Sequence, residues 1–164
     1  MYAIMGITGQ VGSAVAGALL EEGQKVRGIV RDRAKAAHWE TRGVELAVAD
    51  YRDPAALAAS LQNAEGVFIM MPPFFTPAAG FPEAREVIAS LRRAFVGVRP
   101  GKAVYLSSIG AQHSTGLGLI TQSHLLEQEM GSLPISKHLR WLFCLLFTTP
   151  AERMKVVLIS DARA

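Results

Sequence analysis

A chain of 164 residues with a single cysteine cannot be a disulfide scaffold, yet it is long enough to bury one hydrophobic core without a metal staple. Half of the residues are apolar and 19% are charged, the balance of one soluble globular domain rather than of a disordered chain. The formal net charge of +3 is scattered in short groups such as Arg31, Arg33 and Lys35, so no nucleic-acid partner is expected.

The chain opens Met1-Tyr2-Ala3-Ile4-Met5-Gly6, without a charged leader or a cleavage site, so no signal peptide is expected. The apolar run Trp141 to Phe147 is too short to span a bilayer, and no membrane partner is expected. A lone thiol, Cys144, fits a reducing compartment, and the predicted location is the cytoplasm. Cys144 lies among apolar residues and reads as a small buried hydrophobe.

Tyr2 to Ile7 reads as the first strand. Val11 to Glu22 follows as a helix rich in Ala, Leu and Val, stopped by Gly23. Lys25 to Val30 is the second strand, and Asp32 caps a short helix to about Arg42. Val44 to Ala49 is the third strand, and Asp53-Pro54 opens the next helix with a cap followed by proline. Gly66 to Met71 is the fourth strand. The run Pro72-Pro73-Phe74-Phe75-Thr76-Pro77 must be a loop, because proline donates no hydrogen bond and fixes its own torsion. A helix is predicted from about Pro82 to Val96, a fifth strand over Lys102 to Ser107, and a helix over Leu117 to Met130. Residues 139–147 are apolar nearly all round and leave strand and helix open, whereas Met154 to Ser160 reads as one more strand. Strands alternating with helices are the mark of βαβ units and a parallel sheet.

The segment Gly6-Ile7-Thr8-Gly9-Gln10-Val11-Gly12 joins the first strand to the first helix. Its spacing suits a Rossmann dinucleotide turn. One glycine permits the bend, one lets backbone amides approach a pyrophosphate, and the last lets the helix close on the strand. The phosphates would rest on the positive end of the helix dipole. About 20 residues on, the second strand ends Val30-Arg31-Asp32, and two readings compete there. Arg31 would clamp a ribose 2′-phosphate, or Asp32 would bond a ribose 2′-hydroxyl. Asp32 also suits a helix cap, and three cations within five residues favour the phosphate, hence NADP(H) over NAD(H). Asp50, after the third strand, either reaches an adenine edge or caps a turn.

Taken together, the glycine segment, Val30-Arg31-Asp32, Ala49-Asp50 and Leu106-Ser107-Ser108-Ile109-Gly110-Ala111 resemble the NmrA-like branch of the atypical short-chain dehydrogenases/reductases. Leu117-Gly118-Leu119-Ile120 and His124-Leu125-Leu126-Glu127 resemble the helix that follows. The resemblance implies a Rossmann-like, doubly wound parallel sheet in a three-layer αβα sandwich, with strand order 3-2-1-4-5 and room for a sixth strand. It implies NADPH binding with Arg31 on the 2′-phosphate. Thr8, Gln10 and Val11 would join the glycines in the cofactor turn. Family members are NADPH-dependent quinone or related reductases, or catalytically silent regulators that sense the cofactor. The Tyr-x-x-x-Lys pair of ordinary short-chain dehydrogenases is absent, its positions matching Ile120 and His124. The resemblance covers residues 2 to about 135. Residues 1–135 are therefore expected to form the cofactor domain, with 136–164 a short divergent tail in place of a substrate domain.

Ligands of open α/β sheets lie at the carboxyl ends of the strands. There Met71 and Pro72 would face the nicotinamide ribose, and Met70, Met71 and Phe74 would wall a flat acceptor, unless the methionines are simply core. Ser107 and Ser108 either cap a turn or bond a carbonyl of substrate or nicotinamide, with Gly110 beside them. His124 is either a surface residue or a proton donor to a reduced quinone, since its ordinary pKa lies near neutrality. His113 is a weaker candidate of the same kind. No Cys, His and carboxylate cluster has ligand spacing, so no metal is expected.

Two functions follow. One is an NADPH-dependent oxidoreductase passing a hydride to a quinone-like or other small carbonyl acceptor. The other is a silent NADP(H)-sensing module. A homodimer is compatible with an apolar tail carrying Trp141 and Phe143, which could cover an interface.

Overall fold

The computed structural model describes residues 1–133, 138–143 and 158–159. The elements run β1 (Tyr2–Met5), α1 (Gln10–Glu21), β2 (Val26–Val30), α2 (Arg33–Glu40), β3 (Glu45–Val48), α3 (Pro54–Leu61), β4 (Gly66–Ile69), α4 (Pro82–Val98), β5 (Lys102–Ser108), α5 (Thr121–Gly131), β6 (His138–Phe143) and β7 (Leu158–Ile159). The strands form one sheet in the order β3-β2-β1-β4-β5-β6-β7. All pairs are parallel except β6–β7, which is antiparallel. This is the doubly wound Rossmann-like sheet expected, extended by β6 and a short β7.

The central strands are apolar at nearly every position because both faces are covered. Ala3, Met5, Val67, Ile69, Ala103 and Tyr105 point to one face, where Leu57 and Leu61 of α3, Leu91 and Phe95 of α4, and Leu126 and Met130 of α5 close over them. Ile4, Val26, Val30 and Phe68 point to the other, against Ala16 of α1 and Ala36 and Trp39 of α2. Each fully buried leucine contributes roughly 1.5–3 kcal/mol over an exposed one.

The helix boundaries follow from local chemistry. Gly23, at φ +72°, closes α1 as its amide bonds the Leu20 carbonyl and the Gln24 amide bonds Leu19, a Schellman pair. The Asp32 carboxylate accepts the Ala34 amide at 2.9 Å and starts α2. Asp53 accepts the Ala55 and Ala56 amides and, with Pro54, starts α3. Arg42 stacks over the buried Trp39 ring at 4.4 Å.

Two segments differ from expectation or settle an open one. The helix predicted from Leu117 begins instead with a 3₁₀ turn, Gly118–Ile120, and becomes α-helical at Thr121. Gly116 and Gly118 hold positive φ, which breaks α geometry there. Of the ambiguous run 139–147, the residues through Phe143 lie in a strand paired along β5 from Ala103–His138 to Ser108–Phe143. Of the strand predicted at 154–160, Leu158–Ile159 is described, while Cys144 and the other positions of both runs lie outside the described residues. Among the described residues no helix is long and apolar enough to cross a membrane.

Helix α1 rests on the glycine turn itself. A Cβ on Gly12 would lie 2.2 Å from the Gly6 carbonyl oxygen and 2.9 Å from the Ile7 nitrogen, both backbone atoms that cannot give way. Gly12→Ala is therefore expected to destabilise the fold by about 3 kcal/mol or more, the upper range for overpacking. Chemical denaturation followed by circular dichroism checks this, and parental stability would show that α1 does not dock so closely.

At the opposite edge, the Glu65 carboxylate binds Lys102 at 2.7 Å and the Tyr2 hydroxyl at 3.1 Å, tying together the starts of β1, β4 and β5. The Lys102 hydrogen bond, with the Tyr2 hydroxyl, holds the Glu65 carboxyl below its ordinary range. A lowered folded-state pKa stabilises above the unfolded value and is lost as pH falls through the folded one. The stability deficit of Glu65→Gln should thus be present at neutral pH and shrink in acid, a small effect for an exposed pair. Thermal melts across that range test it, and a pH-independent deficit would contradict it.

Candidate functional site

The chain order reverses between β1 and β4, neighbours in the sheet whose connections leave in opposite directions. At such a reversal, open α/β sheets take ligands at the carboxyl ends of the two strands. The glycine turn follows β1 and the Met70 segment follows β4. They touch: the Met70 methyl sits where a Gly6 side chain would be, 2.3 Å from an ideal Cβ position.

Gly6 leaves β1 at φ +70°, and its carbonyl accepts the Gly9 amide at 2.9 Å. Gly9 caps α1 in extended geometry and offers no side-chain acceptor to the first-turn amides. No acidic residue lies in that turn. An uncapped helix start of this kind, with the positive end of its dipole, suits an anion. Thr8 and Gln10 are exposed on the rim, and Val11 is half-buried.

Arg31 follows β2 directly, is exposed, and has no ion-pair partner among the described residues. Its neighbours are occupied. Arg33 pairs with Glu40 and reaches the Leu46 carbonyl, while Lys35 lies 3.9 Å from Asp32. Asp32 itself caps α2. Asp50 accepts the Arg52 amide at 2.9 Å, the turn-capping geometry considered from sequence.

After β4, Met71 and Phe74 are partly buried against the core, Pro72 is half-buried, and Phe75 is 74% exposed. The Phe74 carbonyl accepts from the buried Gln122 amide at 3.0 Å, which fastens this loop to α5. At the end of β5, Ser107 is buried and donates its hydroxyl to Glu127. Ser108 is half-buried, with only a long 3.5 Å contact to the Ile109 carbonyl. Gly110, at φ +95°, turns the chain. His124 meets the Ala111 carbonyl through Nδ1 at 2.7 Å. A carbonyl only accepts, so Nδ1 carries the proton and Nε2 is left for another partner.

The glycine turn, Arg31, Asp50, Met71 to Phe74, and Ser107 to Gly110 therefore all lie at one edge of the sheet, each just beyond or at the end of a strand. His124 is held beside that edge by its bond to the loop after β5. His113 is exposed, with its ring against its own neighbour Gln112. Among the described residues, no three His, Cys, Asp or Glu side chains gather as a metal site would require.

Two residues of this edge escaped the sequence reading. One is Gln122, which reads as an ordinary helical polar residue. The other is Tyr51, whose hydroxyl accepts from the Gly6 amide at 3.2 Å and lies 3.3 Å from the Ile29 carbonyl, to which it donates. Burial pushes this hydroxyl above the ordinary phenol range, opposed in part by the Gly6 amide and the Arg31 charge. It is accordingly neutral at physiological pH and able to accept and donate at once.

The chain is similar to a quinone oxidoreductase 2 of Escherichia coli (strain K12), at 31% identity over 132 residues, 79% of this chain and 43% of that protein. It is also similar to an NAD(P)H azoreductase of Xenophilus azovorans, at 39% identity over 72 residues, 44% of this chain and 25% of that one. Its fold superposes on the crystal structure of an NADPH-dependent quinone oxidoreductase from Escherichia coli complexed with NADPH, with a TM-score of 0.71 and 26% identity, over 87% of this chain and 47% of that one. The chain spans less than half the length of each of these relatives. The family model of the NmrA-like family matches residues 2–84, which include the glycine turn, Arg31, Asp50 and the loop after β4, and by that match the chain belongs to the NmrA-like family.

Proposed function

We propose that residues 1–135 form the cofactor domain of an NADPH-dependent oxidoreductase, with 136–164 a short divergent tail. The observation that carries the NADPH reading is Arg31, an exposed guanidinium without an ion-pair partner among the described residues, placed directly after the second strand. The residues suit the group. Gly6 and Gly12 permit a turn that no side chain would allow, since a Cβ would strike Met70 at the first and the Gly6 carbonyl at the second, and the first turn of α1 beside it has neither a side-chain cap nor an acidic residue. Arg31 would take the 2′-phosphate through a planar fork that matches phosphate geometry.

When bound, the nicotinamide supplies the hydride, and the protein's task is to orient it and exclude water. Met71 and Pro72 would line the ribose side, and Phe74 would wall a flat, quinone-like acceptor, with Ser108 and Gly110 across from it. Ser107 already gives its proton to Glu127, which leaves its oxygen lone pairs for a ligand donor. His124, with Nδ1 held by Ala111, would deliver a proton from Nε2 in its cationic form. This route needs no tyrosine. The azoreductase and quinone oxidoreductase among the relatives support a reductase of small flat acceptors.

The second reading, an NADP(H)-sensing module without turnover, is favoured by one observation. Ile120 and His124 stand where short-chain dehydrogenases carry Tyr and Lys, and Ile120 ends a 3₁₀ turn. The two readings share the cofactor and differ in turnover.

Calorimetric titration decides the cofactor. NADPH should bind more tightly than NADH, and Arg31→Ala should erase the preference by weakening NADPH about 10- to 100-fold, the worth of a charge-assisted contact. Binding of neither nucleotide by the parent chain would remove the reading. With a quinone acceptor, His124→Ala should lower kcat by about 100-fold while NADPH affinity holds within about twofold. Absence of quinone reduction by a parent chain that binds NADPH would favour the sensing module.

A further inference from the structure

Tyr51 is buried, only 9% exposed, and belongs to the core cluster that also holds Ile29, Leu57 and Ile69. Its hydroxyl spans two points that no backbone ladder joins. On one side is the Gly6 amide, where the chain leaves β1 to enter the glycine turn. On the other is the Ile29 carbonyl, two residues before Arg31. Met5 and Ile29 are the last register pair of β1 and β2, so the hydroxyl continues the β1–β2 bracing one step beyond the end of the ladder. The Arg31 charge is felt at this hydroxyl.

We propose that Tyr51 is a positioning residue for the dinucleotide: its hydroxyl sets the glycine turn against the end of β2, so that a pyrophosphate on the turn and a 2′-phosphate on Arg31 can be held at the same time. The inference rests on the NADPH reading above. A dinucleotide carries its two anionic anchors at a fixed spacing through one ribose. Its affinity therefore depends on how well the two protein anchors are held at the matching spacing before binding. Without the hydroxyl, the Gly6 amide loses its acceptor, and the turn is free to shift relative to β2. A ligand with only one anchor does not sense that shift.

The test is Tyr51→Phe, which keeps the ring in the core and removes only the oxygen. Calorimetric titrations of parent and variant use two probes: NADPH, which takes both anchors, and adenosine 2′-monophosphate, which takes the Arg31 end alone. The expected result is a five- to tenfold weaker affinity for NADPH, about the scale of one buried hydrogen bond, with adenosine 2′-monophosphate unchanged within about twofold. Amide exchange at Gly6, followed by NMR without ligand, should quicken in the variant. A merely structural role would lower the melting temperature without splitting the two ligands. Unchanged NADPH affinity, or an equal loss for both probes, would overturn the proposal. The parent titration keeps the failures apart: a parent that binds no NADPH removes the cofactor reading and this inference with it, whereas a parent that binds and a variant that binds as well removes this inference alone.

Discussion

The contact between Gly12 and the Gly6 carbonyl is the constraint on which the rest of this structure turns. With no side chain at Gly12, the first helix closes on the end of the first strand at a distance no other residue permits. That closeness fixes the start of the helix at the carboxyl end of β1, beside β4, with no side-chain cap and no acidic residue in its first turn. The chain reverses direction across the sheet at this same place, because β4 returns to pair with β1 on the side opposite β2. Local backbone freedom and global topology thus meet at one point.

Around that point the side chains divide by whether their charge or polarity is already satisfied. Arg33, Lys35, Asp32 and Asp50 are engaged in caps and ion pairs. Ser107 and Gln122 are buried and bonded, to Glu127 and to the Phe74 carbonyl. These contacts hold the edge in shape. Arg31 at one end has no ion pair among the described residues, and His124 at the other bonds the Ala111 carbonyl through Nδ1; they lie on opposite sides of the glycine turn in the order of the strands.

Much of this was legible from the residues in order. Local signals located β1 to β5 and the helices between them: Asp-Pro and Asp caps, Gly23 as a stop, and apolar runs bounded by turns. The identity of Asp32 as a cap followed from the helical pattern after it, and the Ala34 bond agrees. What escaped depends on contacts far apart in sequence. Tyr51 follows Asp50 in what reads as a loop, and nothing near it tells that its hydroxyl meets Gly6, 45 positions earlier. The acceptor of the Ser107 proton is 20 positions away, on a different element. Residues 139–143 could not be divided between strand and helix by periodicity, because a short, largely apolar run fits either element, and only pairing with β5 decides it. The two glycines that delay the last helix were visible, but their left-handed torsions were not.

The pairing of Tyr2 with Gly66 carries a consequence for how the protein comes into being. The two strands of the reversal are distant in the chain, and a ribosome must release everything through β4 before both exist. Partly made or partly opened chains can have helices, caps and even the glycine turn, yet no such reversal. Any ligand of this site therefore discriminates finished sheets from unfinished ones, and by mass action it draws the population toward the finished form.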